Sequence, residues 1–405
     1  MATTRRIPWK LIFAYVLDWI LIVGIAAVGG GLSYIPPYKR TFFLADPSIS
    51  YPYRSSAIST GLLVVLSLLL PIVVIVVFAV AFCPAPAARR NFSRRAFWAR
   101  KIWEINAGLM GLALSYVLAL LLTQMVKNLF GRPRPDLLAR CMPDLSRIAA
   151  HTVGGDGKDV AMSWVMVDVG ICTNTDKSVL DDGFRSFFSG HSSSAWSGLL
   201  YLSLWLAAKL NVTLPYVQPY TAHDLEVAAN KDHETLPVYQ DESENDSQTH
   251  SLVNLNPVET YRQSGAAVPI YGLIISILPI LLAIYIVSTR YQEFKHSGVD
   301  ITVGSLVGSG FAILAFRSYH SSLTRGCAWT WAPRPADHAF AVTTSTGAKV
   351  GPRRRPGLLT TPADQIARKE VRPSSSNADP EQRLTELEDG HGEGMRDTQY
   401  NGRGI

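Results

Sequence analysis

Apolar residues in this chain are gathered into six near-continuous runs, at residues 11–32, 57–82, 105–126, 194–208, 266–287 and 299–316. A helix needs roughly 20 apolar residues to cross about 30 Å of hydrocarbon, and five of the runs reach or approach that length unaided. The fourth is shorter and becomes long enough if its helix begins near Ser189. With 48% hydrophobic and 17% charged residues among 405, the chain is poorly suited to a soluble surface. The pattern predicts an all-α fold, a six-span transmembrane helical bundle. Arg5 and Arg6 precede the first run, which is too long for a cleaved signal core and reads as an anchor that is kept.

Orientation follows from the basic residues. Arg89, Arg90, Arg94, Arg95, Arg100 and Lys101 lie between the second and third runs, and Arg317, Arg325, Arg334 and Arg353 to Arg355 follow the sixth. Both groups belong on the cytosolic side, together with Arg5, Arg6 and Lys10. The loops at 127–185 and 288–298 are then luminal or extracellular. The net charge of +6 reports this topology and contact with anionic lipid heads, and not nucleic acid. The expected membrane unit is residues 1–320. Within it, residues 210–265 form an acid-rich cytosolic insert; after it, residues 321–405 form a cytosolic tail. Neither segment carries enough large apolar residues to offset its ordering entropy, so both are expected to be disordered.

Four cysteines make no framework. Cys141 and Cys172 share the first long non-cytosolic loop, where the compartment permits a disulfide. Cys83 and Cys327 fall near the cytosolic boundary, and the triplets at Asn91, Asn211 and Asn245 fall on the side where they are not glycosylated.

Three polar clusters sit where the runs meet water on the non-cytosolic side: KNLFGRPRP from Lys127, FSGH from Phe188 and TRYQEFKHSGVD from Thr289. Lys127, Arg132 and Arg134 put fixed positive charge beside hydrocarbon, where ionisable groups are costly and need a partner. An arginine fork with a lysine point charge suits a phosphate ester. Ser189 and Gly190 open a helix whose unpaired N–H groups face an anion, with His191 in the first turn. In the third cluster, Arg290 is joined by His296 and by Asp300 four residues further on. A helix starting near His296 would stack the two, fix the imidazole tautomer and leave an oriented nucleophile. Glu293 and Lys295 read as solvated neighbours. Asp18, inside the first run, has no part in this scheme and is expected to bond to another span.

The spacing from Lys127 to Arg134-Pro135, then Ser189-Gly190-His191, then Arg290, His296 and Asp300 resembles the signature of the type 2 phosphatidic acid phosphatase (lipid phosphate phosphatase) superfamily, its fungal diacylglycerol pyrophosphate phosphatases in particular. The resemblance spans roughly residues 5–317. It implies a phosphatase that needs no metal and acts on a lipid phosphate (phosphatidate, diacylglycerol pyrophosphate or a lysolipid phosphate) in an endomembrane (vacuole, ER or Golgi) or plasma membrane. Lys127, Arg134, Arg290, Ser189 and Gly190 would hold phosphate oxygens. His296 would attack phosphorus, Asp300 would orient it, and His191 would act as acid and then as base. Phe188 and Thr289 stand where the family has proline and serine. Sphingoid-base phosphates and polyprenyl diphosphates are rival substrates. A vanadate-binding haloperoxidase and a non-catalytic lipid-binding or transport relative are readings of other classes.

Overall fold

The computed structural model describes residues 9–83, 93–153, 165–210, 212, 269–321, 323, 330–334 and 339–340. Most of the acid-rich stretch and of the tail, Cys327 and the three asparagine triplets lie outside these residues. The described residues form one compact unit.

Five helices in it are long and apolar enough to cross a membrane. They are α1 (Trp9–Leu32), α2 (Thr60–Phe82), α3 (Arg94–Phe130), α7 (Ile270–Gln292) and α8 (Gly298–Tyr319). Between α3 and α7 come the short α4 (Leu137–Cys141) and α5 (Lys177–Gly183), then the fourth expected span, α6. It runs from 190 to 209 as Gly190–Ala195, a π-turn at Trp196–Leu200, and Tyr201–Lys209. Sequence alone anticipates six spans with the fourth the shortest, and α6, which is that fourth span, is not among the helices long and apolar enough to cross a membrane. The reason is its position: residues 192–195 and 197–199 are all buried within the bundle. A helix shielded from lipid can carry serines if neighbouring helices satisfy them. Ser193 Oγ lies 2.7 Å from Thr123 Oγ1, and Ser203 Oγ donates to Ser276 O at 2.6 Å. Ser115 Oγ donates to the Ser197 carbonyl at 2.9 Å.

Small residues bring these backbones close. A Cβ at Gly198 would overlap the Ser67 carbonyl of α2, one at Gly308 the Ser193 carbonyl, and one at Gly111 the Tyr201 hydroxyl. The main apolar core then fills with Ile75, Leu112, Tyr201, Trp205, Ala312 and Phe316. The ends of α3 and α7 and the starts of α6 and α8 meet at one end of the bundle: the Ser189 amide donates to Asp300 O at 3.0 Å, and Arg290 reaches His191 at 3.4 Å. At the other end, Lys209 Nζ lies 2.5 Å from Glu104 Oε2. There Asp18 also finds its partner, Arg334 Nη2 at 2.6 Å, from beyond α8 and not from another span. The 37 residues of α3 amount to about 55 Å of helix, so its basic first turns project past the hydrocarbon.

Loops cover the end where the polar clusters meet. Phe42–Phe43 pairs antiparallel with Met166–Val167, and a small separate core gathers Phe42, Ile49, Leu137, Val167, Ile171 and Phe184. Cys141, itself part of this core, is disulfide-bonded to Cys172, which packs against it. On the far side, Val212 lies against Gly272, so the chain leaves α6 and rejoins α7 at nearly one point.

Candidate active site

Local sequence sets each side chain. Gly131, with φ of 55°, ends α3 in the left-handed conformation that glycine takes without a steric penalty, and the chain turns into Arg132 to Pro135 one turn after Lys127. Ser189 caps α6, its Oγ accepting from Ser192 N at 3.4 Å. Phe188 is buried beside Phe187, whose ring stacks on Phe130 at 5.0 Å. Aromatic packing thus supports the turn where the family's proline would stand. The Lys127 ammonium lies against Gly190, 2.9 Å from where a Cβ would be, so glycine makes room for a cation at the helix start.

The structure brings Lys127, Arg134, Ser189, Gly190, His191, Arg290, His296 and Asp300 to the same end of the bundle. Arg290 is 2% exposed; its Nη1 lies 3.4 Å from His191 Nε2 and 3.4 Å from Ser56 Oγ, and its Nη2 pairs with Glu293 at 2.8 Å. Arg134 is buried and pairs with Asp182 at 2.7 Å through Nη2. Its Nε is buried with no partner among the described residues, a donor held ready for an acceptor. His191 Nε2 lies 3.1 Å from the Ile58 carbonyl, which can only accept. The same Nε2 also faces Arg290 Nη1, which can only donate, so the carbonyl and the guanidinium hold the ring from two sides while making opposite demands on its proton.

His296 and Asp300 differ from the expected pair. The helix begins at Gly298 with Ser297 as its cap, so His296 precedes it and the four-residue helical stack does not form. Asp300 turns back instead, its Oδ2 accepting from Ser297 N at 3.0 Å in a capping box. The Nδ1 of His296 is 4.0 Å from Asp300 but 2.8 Å from the Ser186 carbonyl. A carbonyl at Nδ1 fixes the same tautomer and leaves Nε2 bare. Asp300 acts one step back: Ser186 Oγ donates to its Oδ2 at 2.6 Å, and Arg132 Nη1 pairs with its Oδ1 at 2.9 Å. Burial, reinforced by the charges of Arg134 and Lys127, pushes the His296 imidazole well below the usual histidine range.

Glu293 and Lys295 are not solvated; they are 6% and 3% exposed. Glu293 Oε1 accepts from the Ala57 amide at 2.6 Å, and Lys295 Nζ lies 3.1 Å from Asp136 Oδ2. Asp136, Arg140, Asp182 and Ser186 also escaped the sequence reading. The one signal for the charged three was that Asp136 and Asp182 share a loop with Arg132, Arg134 and Arg140.

A family model described as the PAP2 superfamily matches residues 108–323, a stretch holding every one of these side chains except Ser56, Ala57 and Ile58. "Diacylglycerol pyrophosphate phosphatase 1" of Saccharomyces cerevisiae is 25% identical over 301 residues, 74% of this chain and 78% of its own. A Schizosaccharomyces pombe protein named "Probable diacylglycerol pyrophosphate phosphatase 1" is 26% identical over 315 residues, 76% of this chain and 82% of its own. "Probable lipid phosphate phosphatase 4" of Arabidopsis thaliana is 24% identical over 207 residues, 50% and 56% of the two chains. No solved structure matches the chain.

Proposed function

The chain belongs to the PAP2 superfamily, and from that membership we propose that it is a magnesium-independent lipid phosphate phosphatase, hydrolysing phosphatidate, diacylglycerol pyrophosphate or lysolipid phosphates through a phosphohistidine. One observation carries the reading: two imidazoles of fixed orientation, His191 and His296, share one end of the bundle with Lys127, Arg134 and Arg290. The names of the yeast relatives favour diacylglycerol pyrophosphate and related lipids among the possible substrates.

The three cations and the first amides of α6 hold the non-bridging phosphate oxygens and stabilise charge as it shifts during transfer. His296 Nε2 attacks phosphorus. The bond from phosphorus to the leaving oxygen breaks, its electron pair stays on that oxygen, and His191 supplies the proton. A bound phosphate dianion supports the imidazolium this requires. In the second half, His191 takes a proton from water, the resulting hydroxide attacks phosphorus, and the P–N bond breaks, returning its pair to His296. The basic turns of α3 lie at the opposite end of the bundle, which supports a site facing the non-cytosolic side of an integral membrane protein.

Purified protein in mixed micelles with excess chelator is expected to release phosphate from phosphatidate or diacylglycerol pyrophosphate. Rapid acid-free quenching should trap label in an alkali-stable, acid-labile form. Phosphate release that vanishes with chelator and returns with magnesium would sink the proposal.

The depressed proton affinity of His296 makes a separate prediction. The group stays neutral, and therefore nucleophilic, as pH falls through the usual histidine range near 6.5. With isotope-labelled histidine in detergent-solubilised protein, its resonances should remain those of a neutral ring between about pH 7.5 and pH 5.5. A full titration near 6.5 would contradict the burial argument.

A further inference from the structure

Behind the phosphate-gripping side chains runs an unbroken line of alternating charge. Lys295 Nζ lies 3.1 Å from Asp136 Oδ2, and Asp136 Oδ1 lies 2.9 Å from Arg140 Nε. Arg140 Nη1 lies 3.0 Å from Asp182 Oδ2, and Asp182 Oδ1 lies 2.7 Å from Arg134 Nη2. Lys295 and Arg140 also flank one ring, Tyr53, at 3.9 and 5.0 Å. Asp136 is fully buried, and Arg140 and Lys295 are 4% and 3% exposed. The two ends of the line touch different parts of the chemistry. Arg134 is a proposed ligand of the phosphate, while Lys295 is the residue immediately before the proposed nucleophile His296.

Buried ion pairs are a poor source of stability, because apolar residues of similar volume commonly hold a fold as well or better. What a connected set of directional bonds supplies is fixed geometry. Asp182, whose side chain is 43% exposed, is shared between two arginines and holds the Arg134 fork by its Nη2, while the Nε has no partner among the described residues. Asp136 is shared between Arg140 and Lys295 and fixes the backbone that leads into His296. The line thereby ties the loop after α3 to the loop between α7 and α8, two segments about 160 positions apart.

We propose that Lys295, Asp136, Arg140 and Asp182 are positioning residues that set the distance between the phosphate-gripping Arg134 and the nucleophilic His296. The proposal rests on the phosphatase reading above. None of the four needs to touch substrate. A misplacement of about 1 Å at reacting groups can cost on the order of 10²-fold in rate.

The test uses full-length protein carrying Lys295→Met, Lys295→Arg, Asp182→Asn or Arg134→Ala. It measures kcat/KM on phosphatidate, the inhibition constant of orthovanadate as a mimic of the phosphoryl group in transfer, and the thermal midpoint. Lys295→Met and Asp182→Asn are expected to lower kcat/KM by about 10-fold to 100-fold and to weaken vanadate in parallel, with Lys295→Arg recovering most of both. Because Lys295→Met removes one of the two partners of a buried carboxylate, the double variant Lys295→Met with Asp136→Asn separates stability from geometry. Its thermal midpoint should recover while kcat/KM stays low. Recovery of kcat/KM along with the midpoint would overturn the proposal, as would single variants with unchanged vanadate inhibition while Arg134→Ala remains impaired. Phosphate release unaffected by Arg134→Ala would remove the reading itself, and the positioning role with it.

Discussion

Replacing His296 with alanine is expected to stop phosphate release, with a fall of roughly 10⁴-fold or more, the scale on which loss of a covalent nucleophile is felt. The fold should survive, because the side chain makes one hydrogen bond, to the Ser186 carbonyl, and sits at a loop outside α8. His191→Ala should slow the reaction by roughly 10² to 10⁴, the usual worth of a placed acid or base. The two variants should differ in kind as well as size. With a leaving group that needs no protonation, such as a nitrophenolate, His191→Ala should still accumulate labelled protein, because His296 is intact and only the second half lacks its base. His296→Ala should carry no label under any condition. Labelled phosphate on the His296→Ala protein, or equal turnover in both variants, would refute the assignment of roles.

The second large effect is on assembly. Gly198→Ala is expected to destabilise the bundle by about 3 kcal/mol or more, because overpacking a rigid contact has no inexpensive relief. A Cβ there would overlap the Ser67 carbonyl, a backbone atom of α2, so one helix would have to move away from the other. Gly190→Ala is the informative contrast. There the nearest atom is the end of the Lys127 side chain, which can swing aside and spare the fold. Thermal unfolding in detergent should therefore show a large loss for Gly198→Ala and a small one for Gly190→Ala. Catalysis should fall in Gly190→Ala even in well-folded protein, since Lys127 is displaced from the start of α6. Equal midpoints for the two variants would mean that α2 and α6 do not meet as closely as described.

The apolar runs and the three polar clusters were legible because each is local: a run is contiguous, and a cluster spans a dozen residues or fewer. The serine-rich α6 was only half legible. Its bonds to Thr123, Ser115 and Ser276 come from other helices, and without them its composition reads as too polar for a span. Asp300 and His296 stand 4.0 Å apart, longer than the expected hydrogen bond, for a local reason. Ser297 caps the helix one residue after the histidine, and a spacing of four stacks side chains only when both lie inside a helix. Ser186 left no trace in the sequence because its contact with His296 is made by a backbone carbonyl, which every residue has. Lys295 and Glu293 look like ordinary surface charges until Asp136 and Ala57 are placed beside them from 159 and 236 positions away.

The closeness of Val212 to Gly272 bears on the long stretch between them. A tether whose two ends leave and re-enter at one spot exerts no lever arm on the helices it joins. Lengthening it adds closure entropy only logarithmically. The register of α6 against α7 is instead set by direct bonds such as Ser203 to the Ser276 carbonyl. The geometry at the far end of the bundle is thus inherited from contacts among the helices themselves, and not from the path by which the chain passes from Val212 to Gly272.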